Sequence, residues 1–241
     1  MLWRSCADDL RDDAEPALLD AAKRRHQRVV VDLGRLDLLQ RSGFVANGEV
    51  QQTDIAQLLQ ATLRGQAHYN PGARDCLAWA NRLLFRSTDP EKFATCFYAV
   101  LDPAAHTLDY ANAGHERPLL FGGDDGAAPR RLIQGGLMLG ALAEWSYQSE
   151  TVPLAPGDLV VCYSDGVTDA RNADGEEFGE ARLIALVREA RHEPAAVVLM
   201  RIVAAVQAHV AGAPQFDDLT LVVLRREPSP AARPGAAAGG S

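Results

Sequence analysis

Leu159-Val160-Val161-Cys162-Tyr163-Ser164-Asp165-Gly166-Val167-Thr168-Asp169-Ala170 is the stretch on which the reading of this chain turns. Its first five residues make an apolar run of strand length, introduced by the turn Ala155-Pro156-Gly157-Asp158. Such a strand delivers one carboxylate, Asp165, at its end. Gly166 behind it leaves room for an ion and its waters. The other reading is that Asp165 caps the helix that follows, which Asp often does.

A second acidic position bears on that choice. Phe216-Asp217-Asp218-Leu219-Thr220 leads straight into Leu221-Val222-Val223-Leu224. Paired carboxylates ahead of a buried strand are costly unless a cation or hydrogen-bond donors satisfy them. An ordinary solvated turn is the alternative there.

Working outward, three- and four-residue apolar spacing predicts helices over 6–27, from Thr53 or Asp54 to about residue 67, and from Gly72 to Leu84. The period then changes. Strands are predicted over 93–101, 107–112, 118–121, 130–133, 147–153, 158–163 and 219–225, with helices over 179–190 and 194–210. Val29-Val30-Val31 reads as a further short strand. Successive strands joined by short turns pair antiparallel, because parallel pairing needs long crossovers. The expected fold is therefore α+β, a layered sandwich of mainly antiparallel sheets flanked by helices. Three parts are expected: a helix-and-strand segment over 1–52, the main domain over 53–226, and a Pro-, Ala- and Gly-rich disordered tail over 227–241.

A net charge of −8 argues against nucleic acid as a partner, since phosphate backbones demand clustered Lys and Arg. No apolar run reaches the ~20 residues that span a bilayer. Met1-Leu2-Trp3-Arg4 lacks the order of a secretion signal, so the cytoplasm is the expected location. Cys6, Cys76, Cys96 and Cys162 have neither zinc-site nor disulfide-framework spacing and read as reduced thiols.

Four segments occur together in order: Asn112-Ala113-Gly114-His115-Glu116-Arg117-Pro118, Gly157-Asp158, the segment from Tyr163 to Asn172, and Asp217-Asp218-Leu219-Thr220. This arrangement resembles the SpoIIE-like (RsbU-like) serine phosphatases, the bacterial branch of the PPM-type metal-dependent protein phosphatases. Phe93-Ala94-Thr95-Cys96-Phe97-Tyr98 and Asp174-Gly175-Glu176-Glu177-Phe178-Gly179 also look like segments of that family, and the resemblance covers about residues 53–226. It implies the PPM-type fold, with two Mn²⁺ or Mg²⁺ ions at one end of a pair of sheets and Asp165 and Asp217 as ligands of one ion. Hard divalent ions prefer carboxylate oxygen and water. Two of them can acidify a bridging water and neutralise phosphoryl oxygens during in-line attack. His115, in the matching turn, reads as a residue that pins the loop, with ligand orientation or proton donation as the alternative. Asp218 and Asp169 read as supporting residues rather than ligands.

The N-terminal quarter departs from the family. Members carry an apolar strand ending in Asp and a turn of the form G-D-V-S-G-K-G just before the helix matching 53–67. Here the candidate is Val29-Val30-Val31-Asp32-Leu33-Gly34, without the Ser-Gly-Lys-Gly part and about 18 residues too early. Asp32 is the candidate bridging ligand. A competing reading is that Arg28 to Gly43 resembles the strand and turn of STAS-type anti-sigma antagonists. Two functions follow from the resemblance. One is a phosphatase acting on phosphoserine or phosphothreonine of a regulatory protein of the anti-sigma antagonist type. The other is a catalytically inactive pseudophosphatase that serves as a binding module.

Overall fold

The computed structural model describes residues 3–5, 59, 62–63, 72–88, 92–122, 127–211 and 219–227. The readings made for 6–27, Val29–Val31, Arg28 to Gly43 and the tail after Glu227 lie outside them. In chain order the elements are β1 (Trp3–Ser5), α1 (Ala73–Ser87), β2 (Cys96–Asp102), β3 (Thr107–Ala113), β4 (Leu119–Phe121), β5 (Arg130–Arg131), β6 (Gly135–Gly136), β7 (Glu150–Pro153), β8 (Leu159–Tyr163), α2 (Asp165–Thr168), α3 (Gly179–Ala190), α4 (Ala195–Val210) and β9 (Leu221–Arg226). Leu59, Thr62 and Leu63 are helical and buried, within the helix expected over 53–67.

Two sheets form the centre. One has the order β1-β9-β8-β4-β5; the other has β2-β3-β6, with β7 also pairing β3. The period-2 alternation of side chains explains why these strands are apolar at consecutive positions. Leu159, Val161 and Tyr163 of β8 face α3 and α4, together with Leu119 and Phe121 of β4 and Leu221 and Val223 of β9. The intervening Val160 and Cys162 join Leu120 and Leu224 against Phe97, Ala99, Leu108 and Tyr110 of the second sheet. That sheet's outer face, Cys96, Tyr98, Ala111 and Ala113, is covered by Ala73, Cys76, Leu77, Ala80 and Leu84 of α1. The result is four layers, helix–sheet–sheet–helix. Each large side chain buried in these seams contributes about 1.5–3 kcal/mol.

Polar groups fix how the layers meet. Gly72 precedes α1 with no side-chain cap, and Asp109 of β3 accepts the Ala73 N–H at 2.8 Å instead. A carboxylate there also complements the positive end of the helix dipole. Elsewhere, the buried Arg225 donates to the Arg191 and Glu193 carbonyls beyond α3, where a cation is favoured.

Two pairing expectations need correction. β3 and β4 are separated by only five residues, 114–118, yet they lie in different sheets. The Asn112-to-Pro118 segment folds on itself rather than making a hairpin. Secondly, β6 pairs with β3 in parallel, with Asn112 opposite Gly135 and Ala113 opposite Gly136. A Cβ on Gly135 would overlap the Asn112 carbonyl oxygen, so only glycine permits that approach. The α+β layered sandwich itself is as expected from the sequence.

Candidate metal centre

Antiparallel pairing sets the site. β8 and β9 run in a register that opposes Tyr163 to Leu221, so the end of one strand lies beside the start of the other. One residue further, the Ser164 N–H donates to the Thr220 carbonyl at 3.1 Å and the Thr220 N–H donates to Ser164 Oγ at 3.0 Å. Ser164 is wholly buried. Asp165 follows it directly.

Asp165 opens α2 but is not its cap. Ser164 occupies the N-cap position with extended backbone, its hydroxyl engaged by Thr220 rather than by the helix. Asp165 Oδ1 accepts the Gly166 N–H at 2.9 Å, and the Asp169 N–H returns to the Asp165 carbonyl at 2.7 Å. The carboxylate is half-buried at the mouth of the strand.

Glu116, a residue of the turn after β3, is the member of this neighbourhood that sequence reasoning overlooked. Burial pushes its carboxyl up from the ordinary value, and the charges of Asp165 and Asp169 push it further, against a smaller opposing effect of Arg117. Mutual repulsion of this kind is what a divalent cation relieves. The hint was in the turn sequence itself, where Glu116 follows His115.

His115 holds the turn. Its N–H donates to Asn112 Oδ1 at 2.7 Å, while Asn112 Nδ2 donates to the carbonyls of His115 and Glu116 at 3.1 and 3.2 Å. Nδ1 lies 3.2 Å from Thr95 Oγ1. Burial lowers the imidazole pKa to about 4, so it is neutral at physiological pH. The loop-pinning role is the one this geometry fits. Gly114 makes the turn with φ of +69°.

On the other flank, Tyr163 donates to Glu180 Oε2 at 3.0 Å, and the Arg131 guanidinium pairs with the same carboxylate. Burial, then the bond to Glu180, drives the phenol well above its ordinary pKa. Tyr163 is thus a neutral donor that ties β8 to α3 and β5. Asp158 is spent on its own turn, where Oδ2 accepts the Ala155 N–H at 2.7 Å. Asp169 is exposed at the end of α2, accepting from Thr168 Oγ1 at 3.2 Å.

Of the sequence-predicted ligands, Asp165 stands at the strand mouth, whereas Asp217 and Asp32 lie outside the described residues, as does Asp218. Among the described residues no group of three or more His, Cys, Asp and Glu side chains is placed to hold a metal ion. The half-buried Asp165 carboxylate, whose charge also acts on Glu116, is a hard oxygen donor of the kind a divalent cation takes as one ligand of a larger set.

A sequence profile described as Stage II sporulation protein E (SpoIIE) matches residues 51–227. The chain belongs to the SpoIIE family. Beyond that match, the SpoIIE-family chain is 33% identical over 141 residues to Protein IcfG of Synechocystis sp. (57% of this chain, 21% of that protein). It is 31% identical over 147 residues to the Phosphoserine phosphatase RsbU of Bacillus subtilis (61% of this chain, 43% of that protein). It therefore spans less than half the length of either relative. Among solved structures, the SiaA-PP2C domain of Pseudomonas aeruginosa superposes with a TM-score of 0.65 at 20% identity, covering 75% of this chain and 72% of that one. The RsbU and RsbW domains of Rv1364c from Mycobacterium tuberculosis superpose with a TM-score of 0.62 at 22% identity, covering 82% and 56%. These likenesses place the fold among the PP2C (PPM) phosphatase domains.

Proposed function

We propose that this SpoIIE-family chain hydrolyses phosphoserine or phosphothreonine on a regulatory protein of the anti-sigma antagonist type, using Mn²⁺ or Mg²⁺ held between Asp165 and Asp217. The observation that carries the reading is the two-way bond between Ser164 and Thr220. It fixes the backbone immediately before Asp165 against the residue three positions after Asp217. That short separation along the chain, about 3.8 Å per residue, supports the reading that Asp165 and Asp217 serve one ion. The RsbU relative, named a phosphoserine phosphatase, supports the choice of substrate.

In this reading Asp165 and Asp217 supply hard oxygen ligands, and Asp32 is the candidate third. The chemistry that bound divalent ions supply is an acidified water for in-line attack and charge neutralisation at the phosphoryl oxygens. The remaining residues hold geometry: Ser164 aligns the strand ends, and the Asn112–His115 turn presents Glu116 beside Asp165.

A second reading, a pseudophosphatase that binds a partner without turnover, is favoured by one feature, the lack of Ser-Gly-Lys-Gly after Asp32. Turnover separates the two. Mn²⁺-stimulated hydrolysis of p-nitrophenyl phosphate and of a phosphoserine-bearing antagonist protein is expected, abolished by Asp165→Asn. A well-folded parent chain without metal-stimulated turnover would replace the phosphatase with the binding module.

A further inference from the structure

Among the described residues Ile133 is the most exposed large apolar side chain, at 61%. Its place follows from strand register. Leu119 of β4 stands opposite Arg131 of β5, and the Leu132 N–H donates to the Pro118 carbonyl at 2.9 Å. One step further along that ladder sets Ile133 beside Arg117. Side chains alternate between the two faces of a sheet. Leu132 enters the seam between the sheets, whereas Arg131 reaches Glu180 of α3 on the other face. Ile133 shares that second face. So does Arg117, two positions before Leu119, which packs toward α3.

The same face leads to Asp165. Leu119 stands opposite Val161 on its β8 side, so Arg117 falls level with Tyr163, two residues before Asp165. Glu116, raised in pKa by burial and then by the charge of Asp165, directly precedes Arg117. Arg131 is engaged by Glu180, which also takes the Tyr163 hydroxyl. Arg117 is exposed and, among the described residues, joins no hydrogen bond or ion pair. Further along the strip Leu137 is exposed too, next to Met138, whose backbone lies against Gly114 of the turn that carries Glu116.

We infer that Arg117 and Ile133, with Leu137 beyond them, form a docking surface for the substrate protein: Arg117 takes a carboxylate and Ile133 an apolar side chain from the residues flanking its phosphoserine. The inference rests on the phosphatase reading above. A single exposed apolar side chain is ordinary on a protein surface. Here Ile133 adjoins an unengaged guanidinium at the strand mouth, in a chain whose net charge is −8. The planar fork of a guanidinium matches a carboxylate. Charge and exposure together select an acidic, partly apolar segment as the occupant. Contacts made equally in the bound substrate and the transition state act on KM rather than on kcat.

The test presents the full chain, in Mn²⁺, with p-nitrophenyl phosphate, a phosphoserine peptide flanked by glutamate and leucine, and one flanked by glycine and serine. The parent is expected to favour the glutamate- and leucine-flanked peptide about tenfold in kcat/KM. Ile133→Asp and Arg117→Gln are each expected to cut that preference to about threefold or less by raising KM. Ile133→Asp should hydrolyse p-nitrophenyl phosphate as the parent does; if it does not fold, Ile133→Ser replaces it. No preference in the parent, or a preference retained by either variant, overturns the docking surface while leaving the phosphatase standing. A parent that sediments as a dimer and becomes a monomer on Ile133→Asp also overturns it, assigning the face to a second copy of the chain. A parent that turns over none of the substrates overturns the phosphatase reading itself, and the docking surface with it.

Discussion

Ser164 Oγ accepts the Thr220 N–H at 3.0 Å while the Ser164 N–H donates to the Thr220 carbonyl at 3.1 Å, so a single buried residue extends the β8–β9 ladder with its side chain. The register of the whole central pair, from Leu159 opposite Arg225 to Tyr163 opposite Leu221, ends in this clamp. Ser164→Ala keeps the strand but leaves the Thr220 donor without that acceptor, which costs about 1–3 kcal/mol. Urea unfolding should show a lower midpoint with an unchanged m-value. An unchanged midpoint would mean the clamp contributes nothing to the strand mouth.

His115 makes stability depend on pH in a defined window. Its pKa falls from 6.5 to about 4 on folding, because burial disfavours the charged ring. Between those values the unfolded chain binds a proton that the folded chain refuses, so stability declines as pH falls from about 6.5 toward 4. The loss is on the order of 2–3 kcal/mol. His115→Gln removes the titrating group, so the variant should lose less stability than the parent over that interval in paired urea titrations. Parallel losses would contradict a buried neutral imidazole.

Gly135 tests the parallel pairing of β6 with β3. A methyl group at this position meets the Asn112 backbone, which cannot yield as a flexible side chain can. Gly135→Ala is expected to cost more than about 4 kcal/mol, the range reserved for gross steric failure. Circular dichroism and thermal melting of the purified variant provide the check. A melting temperature near that of the parent would show that β6 is not held against Asn112.

Much of this fold was legible in the sequence. Gly179–Ala190 coincides with the helix read from spacing, and Ala73–Ser87 and Thr107–Ala113 depart from their readings by a few residues at most. Those elements carry their own periodicity. β6 was invisible because two glycines have no side-chain pattern; only the backbone of Asn112 and Ala113 selects them. Sheet membership was equally hidden, since nothing local tells Leu119–Phe121 to leave β3 and join β8. At the site, Asp165 stood out as a carboxylate between a strand and a glycine. Glu116 did not, because only folding buries its carboxyl and brings the charges of Asp165 and Asp169 to bear on it, which together raise its pKa.

The central claim, that Asp165 and Asp217 share a divalent cation, is tested most directly by titrating the full chain with Mn²⁺ in a calorimeter alongside Asp165→Asn and Asp217→Asn. The account predicts saturable binding by the parent and loss of the same binding event in either variant, with both variants folded. Binding retained in either one, or none in the parent, would contradict it.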